Sequence, residues 1–218
     1  MKLVSVSVGR PRLVTYKGKL VTTGIFKEPV EGRAMLRKLN LDGDRQADLS
    51  VHGGVHKAVY AYPAEHYDYW RRDLDSEALP WGMFGENLTT SGLSEAAVHI
   101  GDTFRIATAE VMVTGPRLPC YKLGLKFGRD DMVKRFLASG RTGFYLKVLN
   151  EGVVGAGDPI EPVSQDEHRV TVADITRLYA GDQDDLATLR RVIEVGALPE
   201  SWRDWALKQI ERLQRKER

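Results

Sequence analysis

Up to about residue 163, the chain consists of short apolar or alternating segments separated by turns rich in glycine and proline. Segments of this length and pattern predict β-strands rather than helices. Many short strands with turn signals between them are typical of a sandwich or barrel. The predicted strands are Leu3–Val8, Lys19–Phe26, Ala58–Tyr62, Val98–Gly101, Thr103–Ala107, Glu110–Thr114 and Phe144–Asn150.

Two helical segments interrupt these strands. Pro63–Arg72 has proline at its first position and places Tyr67 and Trp70 three residues apart, on one helix face. Asp130–Ala138 carries its apolar side chains on one face and ends near Gly140, a residue that favours a helix end. We therefore expect two short helices inserted into the β-region.

The alternation disappears beyond residue 163, and the remaining pattern predicts three short helices, Val172–Tyr179, Asp184–Val195 and Glu200–Leu213. Thr171 and Asp174 have the spacing of a capping box that begins the first of them. The sequence thus predicts a mainly β, or α+β, fold, with a β-domain over 1–163 and a three-helix domain over 164–218. A helical unit of this size is too small to be secure alone, so we expect it to pack on the β-domain.

Composition restricts the classes of protein to which the chain can belong. The 218 residues are 42% hydrophobic and 28% charged, which is ordinary for a globular protein with a real core. The net charge of +2 is too small to indicate nucleic-acid binding, and no apolar run reaches membrane-spanning length. With one cysteine and no signal-peptide pattern, the sequence predicts a cytoplasmic protein with no nucleic-acid or membrane partner.

The one cysteine, Cys120, has an unusual setting. A single thiol forms no internal disulfide, so its uses are core packing, nucleophilic attack or metal binding. Pro116 and Pro119 stiffen the backbone before it, and a proline cannot donate a ladder hydrogen bond in a central strand. Arg117 and Lys122 provide a positive field that favours the thiolate. These neighbours favour a functional thiol over a packed one.

An acidic turn occupies residues 41–48. Its alternating carboxylates are typical of calcium loops, but the twelfth position from Asp42 is Gly53 rather than the glutamate that an EF-hand requires. We therefore interpret the segment as a polar turn that presents Asp44 and Arg45 to a ligand.

A glycine-rich loop follows at 51–58. His52 and His56 are four apart, as on zinc-binding helices, but Gly53 and Gly54 between them disfavour a helix. The glycines suit a tight loop whose backbone amides approach a ligand, with Lys57 adding positive charge. A simple turn before a buried strand explains the same spacing equally well.

The segment 84–88 offers a carboxylate, Glu86, and an amide, Asn87, both suited to hydrogen bonding with a heterocycle edge. The alternative is that Asn87 only stabilises a turn. Several cations lie in or before these loops. They would form an anion site if they converge, or a solvated face if they do not. They are Lys27, Arg33, Arg37, Arg45 and Lys57.

Taken in order, four elements resemble the MOSC domain, named for the C-terminal domain of molybdenum cofactor sulfurase. These elements are the segments 41–44, 51–54, 84–88 and 116–122. The bacterial YiiM-like branch fits best, because the segment 62–70 and the three C-terminal helices also match it. The resemblance covers essentially the whole chain.

This resemblance implies a barrel-like core that binds a pterin-based molybdenum cofactor (molybdopterin), with Cys120 as metal ligand. It also implies reduction of small N-hydroxylated substrates, such as hydroxylaminopurines, to amines, with Cys120 and His52 as catalytic residues. The proton donor stays open, and His52 is the first choice because histidine titrates near neutral pH. Phosphate contacts are expected from Lys27, Arg33 and Arg45, and pterin contacts from Glu86 and Asn87. The implied cofactor-binding residues are Lys27, Arg33, Arg45, His52, Gly53, Gly54, Lys57, Glu86, Asn87, Arg117 and Lys122.

The source of electrons is the remaining question for such a reductase. The sequence has neither an iron–sulfur cysteine set nor a dinucleotide fingerprint, so it predicts a separate electron-transfer reductase as partner. Two other functions fit the same residues: a non-catalytic carrier of the molybdenum cofactor or a sulfur-transfer protein, and a metal-free cysteine enzyme.

Overall fold

Most of the short strands that the pattern predicts are present, and they build a large mixed sheet. The computed structural model describes residues 1–48 and 53–216. Its strands are β1 Lys2–Val8, β2 Arg12–Tyr16, β3 Lys19–Thr23, β4 Glu28–Pro29, β5 Arg33–Leu36, β6 Val59–Pro63, β7 Leu88–Ser91, β8 Thr103–Ile106, β9 Ala109–Pro116, β10 Phe144–Asn150, β11 Gly152–Gly155 and β12 Ile160–Ser164.

Six helices complete the secondary structure of the described residues, together with a short 3₁₀ turn at Val55–Lys57. The helices are α1 Glu65–Asp73, α2 Tyr121–Phe127, α3 Met132–Ala138, α4 Val172–Ala180, α5 Leu186–Glu194 and α6 Glu200–Lys216. The sheet-dominated α+β class and the three C-terminal helices are therefore confirmed.

The main sheet has eight strands in the order β12-β8-β9-β10-β6-β7-β1-β4. Its neighbours are antiparallel except for β6 and β7, which run parallel and are joined by a crossover that contains α1. Two smaller sheets, β5 with β11 and the hairpin β2–β3, stand beside it. The crossover and the hairpin both border the site described below.

The sequence predicts a barrel-like core, but the main sheet of the described residues is not closed into a barrel. The strand β4 is only two residues long and pairs with the far end of β1, and Pro29 cannot donate a ladder hydrogen bond. The start of β1 does reach the segment before β12, where the Leu3 amide donates to the Asp158 carbonyl at 2.9 Å. The two ends of the sheet thus approach without forming a continuous ladder.

The C-terminal helices share one hydrophobic core with the sheet. Ile175 of α4 and Leu189 of α5 lie in the same buried cluster as Val113 and Phe144. The capping box that begins α4 is confirmed, with the Thr171 hydroxyl accepting from the Asp174 amide at 3.0 Å. The helices therefore pack on the β-region as expected, while the boundary between residues 163 and 164 stays a prediction.

A second, aromatic cluster lies between α1 and α3. Tyr62, Phe84 and Phe136 stack against one another, with ring centres 4.6 to 6.0 Å apart. The Trp70 indole donates to the Tyr62 hydroxyl at 2.7 Å, which satisfies a buried polar group inside the cluster. This cluster forms a second hydrophobic core, separate from the one that the sheet shares with the C-terminal helices.

Some elements differ from the sequence-based prediction. The segment predicted as a strand at Val98–Gly101 forms turns, with a single bridge between His99 and Thr171. The helix α2 was not predicted, because its only obvious start signal is the proline-framed cysteine. No helix within residues 1–48 and 53–216 is long and apolar enough to cross a membrane.

The shared core predicts that a helix substitution weakens the whole protein. Ile175→Ala leaves a cavity between α4 and the sheet and is expected to lower the free energy of unfolding by about 2–5 kcal/mol. Leu207→Ala, at a side chain that is 45% exposed, serves as the control and should change it by less than about 0.5 kcal/mol. Denaturant unfolding followed by circular dichroism measures both, and equal losses would contradict a shared core.

Candidate functional site

One cleft collects most of the residues that the sequence singles out. It opens where the end of the β2–β3 hairpin, the turn at 44–47, the strands β6 and β10 and the segment after β9 meet. The predicted residues that line it are Lys27, Arg45, Gly53, Lys57, Asn87, Arg117, Cys120 and Lys122.

Cys120 is positioned by the junction between β9 and α2. β9 ends at Pro116, and the backbone of Cys120 is extended before the first turn of α2 begins at Tyr121. The Cys120 carbonyl accepts from the Leu123 amide at 2.9 Å, which anchors the residue to the helix. The thiol is partly buried and lines the cleft.

Arg117 is the most deeply buried cation of the cleft, at 6% exposure. Its guanidinium carbon lies 5.4 Å from the Tyr60 ring centre and 5.1 Å from that of Phe136, so aromatic faces stabilise its charge. Its Nη1 atom is buried and has no hydrogen-bond partner among the described residues. A buried donor without an acceptor is costly, which marks this atom as available to a ligand.

Lys27 and Asp44 form a buried ion pair at the cleft wall. Their side chains are 9% and 1% exposed, and the ammonium lies 2.5 Å from the carboxylate. The same carboxylate oxygen accepts from the Gly9 amide at 2.8 Å. Burial lowers the pKa of Lys27, while the carboxylates of Asp44 and Glu86 oppose that shift.

The backbone at position 24 passes so close to the turn at 44–47 that only glycine fits there. A Cβ atom at Gly24 would lie 2.5 Å from the Arg45 carbonyl oxygen. The hairpin therefore runs directly into the cleft wall, and Gly24 sets the distance between the two segments.

Glu86 does not line the cleft. It is fully buried, and its two carboxylate oxygens accept from the Gly82 amide at 2.8 Å, the Phe84 amide at 3.1 Å and the Thr89 hydroxyl at 3.1 Å. The Tyr67 hydroxyl donates to it as well. These hydrogen bonds close the loop 82–86 and join it to α1 and β7, so the position of Glu86 gives no support to a pterin contact.

Asn87 does line the cleft, but its side chain has internal partners. Its Oδ1 accepts from the Tyr60 amide and its Nδ2 donates to the Ser7 carbonyl, each at 3.3 Å. The amide thus joins β6 to β1, and the alternative in which Asn87 holds the local structure has direct support.

Three other predicted residues are not brought to the cleft lining. Arg33 pairs with Asp158, at 2.8 and 2.9 Å, beside the β5–β11 sheet, and Arg37 pairs with Asp42 at the surface. Gly54 has a positive φ of 82° and lies outside the lining. His52, predicted as proton donor, lies outside the described residues, so its role stays a prediction.

Two cleft residues carry no recognisable sequence signal. Tyr145 belongs to a strand that the pattern predicts, but the pattern does not show that its side chain lines the cleft. Burial raises the pKa of Tyr145, and Cys120 adds to this shift while Arg117 opposes it. Tyr60 also lines the cleft, and its hydroxyl donates to the Thr142 carbonyl at 2.7 Å.

The described lining is strongly cationic. It contains five basic side chains and one carboxylate, and that carboxylate, Asp44, is already paired with Lys27. The remaining positive charges are those of Arg45, Lys57, Arg117 and Lys122. Such a surface attracts an anionic ligand, and a partly buried thiol lies within it.

Residues 48–161 match the MOSC domain, and residues 170–213 match the YiiM-like 3-alpha helix domain. The chain belongs to the MOSC family. It is 44% identical to the Bacillus subtilis (strain 168) protein YflK, over 97% of this chain and 95% of that protein. The crystal structure of YiiM from Geobacillus stearothermophilus is similar, with a TM-score of 0.80 and 34% identity, over 96% of this chain and 98% of that one.

A more distant relative of this MOSC chain is named "Reductase" and comes from Gibberella moniliformis (strain M3125 / FGSC 7600). It is 31% identical over 81% of this chain, and the match covers 32% of that longer protein. The comparisons thus establish a MOSC domain followed by a YiiM-like helical domain.

The ion pair at the cleft wall predicts a large effect of a single truncation. Asp44→Ala leaves the Lys27 ammonium buried without its partner and should lower the free energy of unfolding by about 3–5 kcal/mol. Asp42→Ala, which removes an exposed partner of Arg37, is the control and should have a much smaller effect, because solvent screens an exposed pair. Urea titrations compare the two, and similar small losses would contradict the structural role of the pair.

Lys126 predicts how stability depends on pH. Its ammonium donates to the carbonyls of Ile25 and Gly82, and burial lowers its pKa from 10.5 to about 8. Between about pH 8 and 10 the unfolded chain holds this proton more tightly than the folded one, so stability rises with pH.

Relative to Lys126→Met, we therefore expect the unfolding free energy of the parent to increase with pH in that window. The increase should reach at most about 1.4 kcal/mol per pH unit. Denaturant unfolding at pH 7, 8, 9 and 10 measures the difference, and parallel pH profiles would show that the Lys126 pKa is not lowered.

Proposed function

We propose that the cleft binds a pterin-based molybdenum cofactor through Cys120 and that the protein reduces small N-hydroxylated compounds to amines. The observation that carries this proposal is the partly buried thiol in a cleft that is also lined by Arg45, Lys57, Arg117 and Lys122. A pterin cofactor combines a thiolate-binding metal with an anionic phosphate, and the cleft presents groups for both.

The residues present fit such a group. Within the part of the chain that the structure describes, no three His, Cys, Asp or Glu side chains gather as a metal site. A metal held by Cys120 would therefore take its other ligands from the cofactor. The thiolate is a soft ligand, which suits a sulfur-rich metal centre.

The thiol and the charged side chains of the lining have proposed roles. Cys120 would hold the metal, and Arg45, Lys57 and Lys122 would neutralise the anionic groups of the cofactor. Arg117 would add its positive charge to this anion site, while its Nη1 atom stays available for a hydrogen bond to the substrate. Lys27 is paired with Asp44, so it would shape the wall rather than bind phosphate directly. When bound, the cofactor supplies the two-electron redox chemistry that cleavage of an N–O bond requires.

The substrate class and the electron source are also part of the proposal. The relative named "Reductase" supports an oxidoreductase, and the N-hydroxylated substrates, such as hydroxylaminopurines, follow from the family resemblance. Electrons would come from a separate reductase. We expect the protein to act in the cytoplasm, because a single cysteine is typical of a reducing compartment.

Metal and pterin analysis of protein produced in a cofactor-competent host tests the proposal. We expect close to stoichiometric molybdenum in the parent, and at least about a tenfold loss in Cys120→Ser, because a hydroxyl is a poorer ligand for a soft metal. Lys122→Ala should weaken cofactor retention, whereas Lys134→Ala, at an exposed position on α3 outside the lining, should not.

Turnover is measured with a reduced viologen as electron donor, so that no partner protein is needed. Reduction of 6-hydroxylaminopurine to adenine by the parent, and its loss in Cys120→Ser, would support the proposal. Bound molybdenum without turnover would favour the cofactor carrier instead. No stoichiometric molybdenum, together with a Cys120→Ser variant indistinguishable from the parent, would refute it.

A further inference from the structure

Two hydrogen-bond donors lie in the cleft together with the thiol. The side chains of Arg117, Tyr145 and Cys120 all line it, and the Arg117 guanidinium and the Tyr145 ring both lie against the Tyr60 ring. Tyr145 is held firmly on β10, with its ring 5.7 Å from that of Tyr60 and 5.9 Å from the Lys57 ammonium. The Tyr145 side chain is therefore held in a fixed position in the cleft.

Other cleft groups are already committed to internal partners. The Tyr60 hydroxyl donates to a backbone carbonyl, the Asn87 amide joins two strands, and Lys27 is paired with Asp44. Arg117 differs, because its Nη1 atom is buried and has no acceptor among the described residues. Leaving a buried donor unsatisfied is unfavourable, so an acceptor atom of a ligand would remove that cost.

We propose that Arg117 Nη1 and the Tyr145 hydroxyl form an oxygen-binding pair, which holds the nitrogen-bound oxygen of an N-hydroxylated substrate beside Cys120. This inference rests on the proposed function and adds a specificity determinant to it. An oxygen offers lone pairs to both donors, whereas the amine product places its own N–H groups against them. The pair therefore favours the N-hydroxylated compound over the amine, and reduction weakens binding of the product.

The discrimination can be measured by equilibrium binding without any electron donor, so that no turnover occurs. Calorimetric titration of the purified protein with 6-hydroxylaminopurine and with adenine gives the ratio of their dissociation constants. We expect the parent to prefer the hydroxylated purine by about tenfold or more. Tyr145→Phe should reduce that ratio about fivefold, because it removes one hydrogen bond to the oxygen.

Tyr121→Phe is the matched control. Tyr121 follows Cys120 directly, is 50% exposed and stacks on Tyr16, but it does not line the cleft. It should retain the parental ratio. Arg117→Lys provides a second variant that keeps the charge but loses the planar fork, and it should also reduce the ratio. Thermal unfolding of each variant verifies that the fold is intact.

Equal binding of the two purines by the parent, or binding of neither, would overturn the inference. An unchanged ratio in folded Tyr145→Phe would overturn it as well. A failure of the proposed function gives a different result: the parent would discriminate between the purines but would not reduce 6-hydroxylaminopurine with a reduced viologen. In that case the pair stands as an oxygen-binding site and the catalytic assignment falls.

Discussion

The buried ion pair between Lys27 and Asp44 is the interaction on which the cleft depends. It joins the connection after β3 to the acidic turn, and the Gly9 amide adds the end of β1 to the same carboxylate. These segments are 17 to 35 residues apart in the sequence, and the pair satisfies the buried charges where they meet. Because the two charges neutralise each other, the pair shapes the wall while the other cations determine which ligand is attracted.

Arg117 shows the opposite arrangement. Both residues carry a buried positive charge, but Lys27 has a carboxylate partner inside the protein, whereas one Arg117 nitrogen has no acceptor among the described residues. Aromatic rings rather than counter-charges support its guanidinium. Lys27 therefore stabilises the fold, whereas Arg117 has a donor left for a ligand, although both are cations of one cleft.

The sequence predicted much of the fold, since period-two alternation and the Thr171 cap are local signals. It also predicted that Cys120 and most of the cations share one site, because their loops come in a recognisable order. For Glu86 the sequence suggests a ligand contact, whereas its oxygens accept hydrogen bonds from within the protein, so that contact stays a prediction without structural support. It gave no indication of Tyr145, because the face of a buried strand that meets a cleft depends on how the neighbouring strands curve.

The buried carboxylate of Glu86 has a consequence for how relatedness should be interpreted. The segment 84–88 is one of the elements by which the chain resembles its family, yet its central acid closes a loop instead of touching the cleft. A protein could therefore keep this signature while a change at a residue such as Tyr145 gave it a different substrate. Family membership in this case describes a shared scaffold more securely than it describes a shared reaction.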